Sequence, residues 1–445
     1  MAERGEVMED QAVRDASPGY SVAAGTISAE ELPPGCKRTE VGVIPEDWSI
    51  KTVNEFGQVI TGGTPSTKVR AYWGDAYPWV TPTDISTNKD IRSTERHLSK
   101  AGFSVMRGLP ANTVLVTCIA SIGKNAVLRT PGSCNQQINA VIPDRDYDSD
   151  FLYYLFEFSK SYLIGSAGTT ATSIISKSLF NSLVFAVPAI REQRAIATSL
   201  SDADALIESL DRLIAKKRAI KQATMQQLLT GQTRLPGFTG EWEVKRLGEL
   251  VSEVRNGAVY KPVQRDGVAI TRIETISDGK VDLSRVGYTN PYPGLDQYRL
   301  KAGDILYSHI NSIEHVGKVA VFRGPMELYH GMNLLMLRPS EFVDSAWLYY
   351  VLCSSAARQW ARMSAKQAVS QASINTRELR TFGIATPQKC EQTAIATVLS
   401  DMDTEIEALE HRREKARQIK QGMMQQLLTG RVRLVEPESP AEAKA

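Results

Sequence analysis

Glu192-Gln193-Arg194-Ala195-Ile196-Ala197-Thr198 opens a stretch that runs to Leu235 and is written a second time, without a gap, from Glu391 to Leu434. Its far end, Met225-Gln226-Gln227-Leu228-Leu229-Thr230-Gly231, returns as Met424-Gln425-Gln426-Leu427-Leu428-Thr429-Gly430. About 27 of 44 positions are identical, so this is an internal repeat, and it orders the reading of everything else. Two copies are too few for a solenoid, and the segments between them differ. The chain therefore reads as variable block, fixed element, variable block, fixed element.

Apolar residues of the first copy fall at Ile196, Leu200, Ala203, Ile207, Leu210 and Ile214. Steps of four and three make a heptad seam on an α-helix. Ile395, Leu399, Met402, Ile406 and Leu409 repeat it; the seam then changes phase near Arg413 and is carried on by Ile419, Met423 and Leu427. Pro188 and Pro387 precede the copies, Glu192 and Glu391 sit in the first turns, and Gly231 and Gly430 follow the last apolar pairs. These are helix start and stop signals. Roughly 38 residues at ~1.5 Å each predict a rod of about 57 Å. One narrow seam cannot bury itself alone, so the two copies are expected to pack together, antiparallel if the blocks between them are similar folds. Repetition of Asp202, Asp204, Gln226 and Gln227, read as surface positions, sets the copies apart from two unrelated core helices.

The chain of 445 residues is long enough for two or three domains with proper cores. A hydrophobic share of 42% and a charged share of 23% are ordinary for a globular protein. Net charge is only +2, so a nucleic-acid partner would have to be met by local patches. Cys36, Cys118, Cys134, Cys353 and Cys390 are odd in number and never spaced C-x-x-C, which points to a reducing compartment and away from a zinc knuckle. No apolar run approaches membrane-spanning length and the N-terminus shows no signal-peptide core, so a cytoplasmic location is expected.

Met1–Gly35 reads as a disordered leader and residues 434–445 as a disordered tail. The first block, 36–187, is rich in short β-type runs such as Tyr77–Val80, Asn112–Val116, Asn125–Leu128 and Asn139–Ile142, then a helix at Phe151–Phe156 and a strand at Leu183–Val187. The second block, 233–386, follows the same plan. Trp242–Leu247 echoes Trp48–Val53, and Gly317-Lys318 echoes Gly123-Lys124. Trp347–Tyr350 echoes Phe151–Tyr154, Ser373-Ile374 with Leu379 echoes Ser173-Ile174 with Leu179, and Asn333 is set against Asn139. The helical segments are 188–232 and 387–433.

Ile44-Pro45-Glu46-Asp47-Trp48, Gly62-Gly63-Thr64-Pro65-Ser66, Pro78-Trp79-Val80-Thr81-Pro82-Thr83-Asp84-Ile85 and the twice-written Glu-Gln…Gln-Gln-Leu-Leu-Thr-Gly helix resemble the specificity (S) subunits of type I restriction-modification enzymes. Each motif alone is weak; their order and duplication, over nearly the whole chain beyond the leader, are specific. The resemblance implies an α+β chain of two similar mixed α/β target-recognition domains, each for one half of a bipartite double-stranded DNA target. They would be separated by a pseudo-two-fold pair of long antiparallel helices, a coiled coil that sets the gap and docks modification subunits. It also implies that S-adenosylmethionine, ATP and Mg belong to partner chains, the modification (methyltransferase) and restriction (nuclease-translocase) subunits, with no catalytic, cofactor or metal site here. A rigid rod between two diverged readers is also what two separated half-sites demand physically.

Candidate DNA contacts in the first block are Thr61, Gly62, Gly63, Thr64, Ser66 and Lys68, a Gly-rich loop with hydroxyls and a cation for phosphate oxygens, or else a plain surface turn. Asn135, Gln136 and Gln137 offer amides for adenine edges, or form a polar turn. Lys124 and Lys318 are phosphate candidates, and Ser173 and Ser373 lie in matching loops. In the second block Arg265, Arg272, Tyr307, Ser308, His309 and Asn311 form the densest polar-aromatic cluster, with Arg272 suited to guanine and Asn311 to adenine. The helix–helix seam rests on Ile196, Leu200, Ile207, Leu210, Ile395, Leu399, Ile406 and Leu409. Lys216, Lys217, Arg218 and Lys221, with Arg412, Arg413 and Arg417, read as a solvated face or, alternatively, as a contact for a partner subunit or the DNA backbone.

Rival chemistries fit less well. Asn290-Pro291-Tyr292-Pro293 has the wrong order for a methyltransferase motif, and no G-x-G loop accompanies it. Pro143-Asp144 with Glu157 and Lys160 imitates a nuclease, but a spacing of three would aim carboxylate and lysine to opposite faces of a strand. Asp266 with Asp278-Gly279-Lys280 has acceptable spacing, yet Asp-Gly is first a hairpin turn. His97, His309, His315, His330 and His411 offer no i,i+4 metal pair. A coiled-coil scaffold without DNA reading remains a third class, which would leave two matched blocks with polar loops unexplained.

Overall fold

The computed structural model describes residues 32–86, 88–168, 173–276, 279–367 and 371–436; most of the expected leader and tail, and Asp278, lie outside them. The chain forms two compact units, one of Met1–Ser209 with Arg413–Ala445 and one of Leu210–Arg412. The repeat forms the helices Ile190–Leu229 and Lys389–Leu427, and the unit boundary falls inside both. Packing thus groups the four expected segments into two bodies, because each half-helix closes the core of the block beside it.

In the first unit five strands lie in the order Gly57–Thr61, Ile138–Pro143, Thr113–Thr117, Asn125–Leu128, Asp90–Ile91. All pairings are antiparallel except the last. Alternation along each strand divides the side chains between two cores. Val114, Val116, Val127 and Val141 face a core with Trp48, Phe56, Phe151, Phe185 and the helix residues Ile196, Leu200 and Leu427. Leu115, Ala126, Leu128 and Ala140 face another with Val80, Ile85 and Leu109. The second unit repeats this with four strands, in the order Val251–Asn256, Leu335–Pro339, Ile305–Tyr307, Val319–Val321. Ile305, Val319, Leu335 and Leu337 share a core with Trp347, Leu228, Ile395 and Leu399, whereas Leu306, Ala320 and Met336 pack with Ile276, Leu300 and Phe322.

The repeated residues of the helices tie each block to both helix segments of its own unit. In the first unit Glu192, 2% exposed, accepts from the Trp48 indole (3.1 Å) and from Arg433 (2.6 and 2.8 Å), whose guanidinium also reaches Asp47. Gln193 accepts from the Asp148 amide (3.0 Å) and donates to Pro188 (2.9 Å). Asp204 accepts from Tyr154 (2.7 Å) and Lys420 (2.6 Å). The second unit repeats these ties with Glu391 to Trp242 (3.2 Å) and Arg234 (2.7 Å), Gln392 to Asp344 and Pro387, and Asp403 to Tyr350 and Lys221, except that Arg234 meets the Gly240 carbonyl where Arg433 meets Asp47. In each unit partner numbers fall on one helix segment as they rise on the other, so the segments are antiparallel.

Two expectations are corrected here and a third is qualified. Asp204 is not a free surface position; Asp202 and its copy Asp401, both glutamines of the first copy and Gln426 are exposed, whereas Gln425 is half-buried. Ile419 does not continue the seam: it is 52% exposed, as is its counterpart Ile220 at 42%. The seam passes instead through Ala416, Lys420 and Leu427, because the Lys420 stem lies inward while its ammonium reaches Asp204 and the Tyr154 ring. Finally, Lys216, Arg218, Arg412 and Arg417 are exposed, as a solvated face requires, but Lys217, Arg218 and Lys221 also pair across the helices with Glu405, Glu410 and Asp403. Of the other seam residues Leu210 and Ile406 are buried, and Ile207 and Leu409 half-buried.

A candidate nucleic-acid interface at one end of each sheet

In the first unit the strand ends carrying candidate residues meet at a single end of the sheet. Asn139 pairs with Thr61 and with Val116, Ile138 with Thr117, and the Cys118 amide donates to Gln137 (2.8 Å). The Gly-rich loop therefore lies beside the Asn135–Gln137 turn. Gly62 has to be glycine, since a Cβ there would stand 2.2 Å from the Asn135 carbonyl and 2.4 Å from that of Cys134. Gly63 donates to Cys134 (2.8 Å) and accepts from the Trp79 indole (2.9 Å). Thr64 donates to Gln136 (2.6 Å), bridging the loops at the surface. Ser66 and Lys68 are exposed further along, and Lys124 is exposed at the start of the neighbouring strand. Ser173 joins the same end, its carbonyl accepting from Ala120 (3.2 Å).

Not all of these side chains point outward. Thr61 donates inward to Asn139 (2.7 Å), whose amide in turn reaches the Cys118 sulfur. Asn135 is buried and spends its side chain on Gln137, accepting from its backbone N–H and donating to its side-chain oxygen, both at 3.0 Å. It shapes the turn, while Gln136 is the amide presented to solvent. Trp79, which sequence reasoning passed over as a site residue, backs the Gly-rich loop together with Trp73; Arg96 stacks on both rings, 3.7 Å from the centre of Trp73.

The second unit builds the same end with other residues. Gly257 takes the place of Gly62, since a Cβ there would stand 1.9 Å from the Gly331 carbonyl, and Ala258 donates to His330 (2.8 Å) as Gly63 does to Cys134. The turn Gly331-Met332-Asn333 therefore matches Asn135-Gln136-Gln137. This corrects the pairing of Asn333 with Asn139: the ladder sets Asn139 against Thr61 and Leu335 against Asn256, so Asn333 corresponds to Gln137. A second register slips by one. The helices Lys177–Ser182 and Thr376–Leu379 are capped by Ser176 and Asn375, which aligns buried Phe180, not the 36% exposed Leu179, with buried Leu379. Ser373 accordingly matches Ile174 rather than Ser173.

The expected second-block cluster divides. Arg265 and Arg272 are exposed beside Tyr260, Arg265 on the loop that follows Gly257 and Arg272 just past the strand Val268–Ile270. Tyr307, Ser308 and His309 are buried at the end of their strand and cannot offer side chains to a duplex without its opening. Burial pushes the Tyr307 phenol up and the His309 imidazole down to about 4. Half-buried Asn311 donates to Ser308 (3.2 Å), and Ile310 pairs with Ser373 beside it. Half-buried Lys318 sits across from Ser308, whose amide donates to its carbonyl (2.8 Å).

Other chemistry is not assembled. Asp144 follows the strand end paired with Gly57, whereas Glu157 accepts from Asn125 (3.0 Å) at the opposite end of the sheet, so the nuclease-like residues stand apart. Burial raises the Cys118 thiol to about 11 and that of Cys134 to about 12, which keeps both protonated at neutral pH. Among the described residues no cluster of three metal-ligating side chains occurs, and no helix is long and apolar enough to cross a membrane.

Known proteins share this organisation. The chain is 41% identical over 203 residues to a putative type I restriction enzyme MjaX specificity subunit of Methanocaldococcus jannaschii, covering 44% of this chain and 48% of the relative. It is 30% identical to the MjaIX specificity subunit of that organism over 50% of this chain and 55% of the relative, so it spans about half the length of these two. The MjaVIII specificity subunit aligns at 25% identity over 88% of this chain and 94% of its own. The crystal structure of a type I restriction-modification system S subunit from M. genitalium superposes with a TM-score of 0.55 at 14% identity, covering 85% of this chain and 96% of the other, which speaks for the fold. The family described as the type I restriction modification DNA specificity domain matches residues 45–216 and again 239–418, and with its two matched units this chain belongs to that family.

Proposed function

We propose that the chain selects a two-part DNA target, each unit reading one half. One observation carries the reading: the same pair of sheet-end loops, on the same glycine-dependent backbone, presents Thr64, Gln136 and Lys68 in one unit and Tyr260 and Asn333 in the other, where Arg272 stands beside them. Equal scaffolds with unequal polar surfaces suit two unlike half-sites. Phosphates are met by exposed Lys68 and Lys124 and by loop N–H groups, bases by the amides and the arginine fork. The paired helices act as the spacer between readers and as the docking surface for modification subunits. The chain works in the cytoplasm as the non-catalytic reader of a restriction-modification complex. Methyl transfer from S-adenosylmethionine and ATP- and Mg-dependent restriction reside on partner subunits.

The test is methylation mapping in cells that express the chain with its modification subunits. Two short sequences separated by a constant gap are expected, and exchanging residues 36–187 for a relative's should change one of them only. A single uninterrupted motif, or cleavage of DNA by the isolated chain with Mg, overturns the reading.

A further inference from the structure

In the second unit two adjoining cavities, of about 210 and 450 Å³, share Tyr260, Pro262 and Arg272. Asn333 lines the smaller and Arg265 the larger. The Arg272 guanidinium meets Glu274 at 3.4 Å, with both side chains more than half exposed, a pairing too weak to keep the fork from turning toward a ligand. Its backbone is firmly held, the N–H donating to the Thr275 hydroxyl at 2.8 Å. Gly287 leaves the floor of the notch open: a Cβ there would come within 2.7 Å of the Tyr260 hydroxyl and 3.1 Å of Arg272 Cδ. Asn333 holds a left-handed backbone, φ 73°, at the mouth, a conformation that asparagine tolerates better than most residues.

We propose that this notch is a base-reading subsite in which Arg272 takes a guanine of the half-site read by the second unit. The inference rests on the DNA-reading function above. Two parallel N–H donors match the O6 and N7 acceptors that only guanine shows together in the major groove. The Tyr260 ring and the opening left by Gly287 set the direction of the fork. In the first unit the strand register sets Thr81 at the position of Arg272, with its N–H (2.8 Å) and hydroxyl (2.6 Å) spent on Asp84, so no arginine notch forms there and the guanine requirement belongs to one half alone.

The experiment maps methylation of a randomised DNA library by the complex of the full chain with its modification subunits, comparing wild type with Arg272→Ala, Arg272→Lys and Gly287→Ala. In the wild type one half-site should require a guanine. Both Arg272 variants should accept other bases there, losing roughly 10- to 100-fold discrimination, with the other half and the gap unchanged. Gly287→Ala should relax the same position. Unchanged requirements at the other positions of the same half-site show that the second unit of each variant is folded. An unchanged motif in the Arg272 variants overturns the subsite. So does uniform weakening in Arg272→Ala with full specificity in Arg272→Lys, which would make Arg272 a phosphate contact. A wild-type complex without a two-part motif overturns the function itself.

Discussion

His309 and His330 show how a residue's meaning depends on its surroundings. In the sequence His309 belongs to a polar cluster suited to DNA; in the structure both rings are buried, and each Nδ1 has no hydrogen-bond partner among the described residues. Burial lowers both to about 4. An unfolded histidine titrates near ~6.5. Between those values the unfolded chain binds more protons, so the stability that depends on neutral imidazoles is complete above that upper value and drains away as pH falls toward the lower one. Together the two groups should cost the second unit on the order of a few kcal/mol by pH ~4. Denaturant melts of the full chain at a series of pH values check this, and His330→Gln should flatten the dependence. A melt insensitive to pH across that window would mean that the rings are hydrated in solution.

At the scale of elements, the tie at each long helix's start is the feature that the repeat encodes. Glu192→Ala removes the buried acceptor of Trp48 and one of two carboxylates on Arg433, with an expected loss of about 3 kcal/mol. Coupling to Arg433→Ala in a double-mutant cycle should be favourable, and Glu391 with Arg234 should behave alike in the other unit. Ile419→Gln, on an exposed face, should change stability by no more than about 0.5 kcal/mol. Chemical denaturation of these variants would show whether burial or seam membership governs. A large loss at Ile419 would restore that residue to the seam, as the periodicity expects.

For the whole molecule, the proposed spacer makes a geometric demand. Seven residues inserted into both long helices preserve the phase of the seam. The methylated motif should then keep both half-sequences and widen its gap, as read by methylation mapping. Altered half-sequences with an unchanged gap would remove the helices from any measuring role.

How much was legible beforehand follows from what each signal depends on. The repeat, the helical periodicity and the two-block plan are properties of residue order, since spacing along the chain decides which side chains share a face. The family resemblance rested on the same linear facts. Register between the blocks was beyond it: the pairing of Asn333 with Gln137, and of Leu379 with Phe180, depends on which backbone amide meets which carbonyl across strands. Burial was beyond it too. Tyr307, Ser308 and Asn135 look like contact residues in a string of letters, and only the packing around them turns their polar atoms inward. The sequence alone determined two copies of one helical design and two related blocks; the tertiary structure decided which polar residues remain at the surface, because hydrogen-bond partners and solvent access are set by residues far away in the chain.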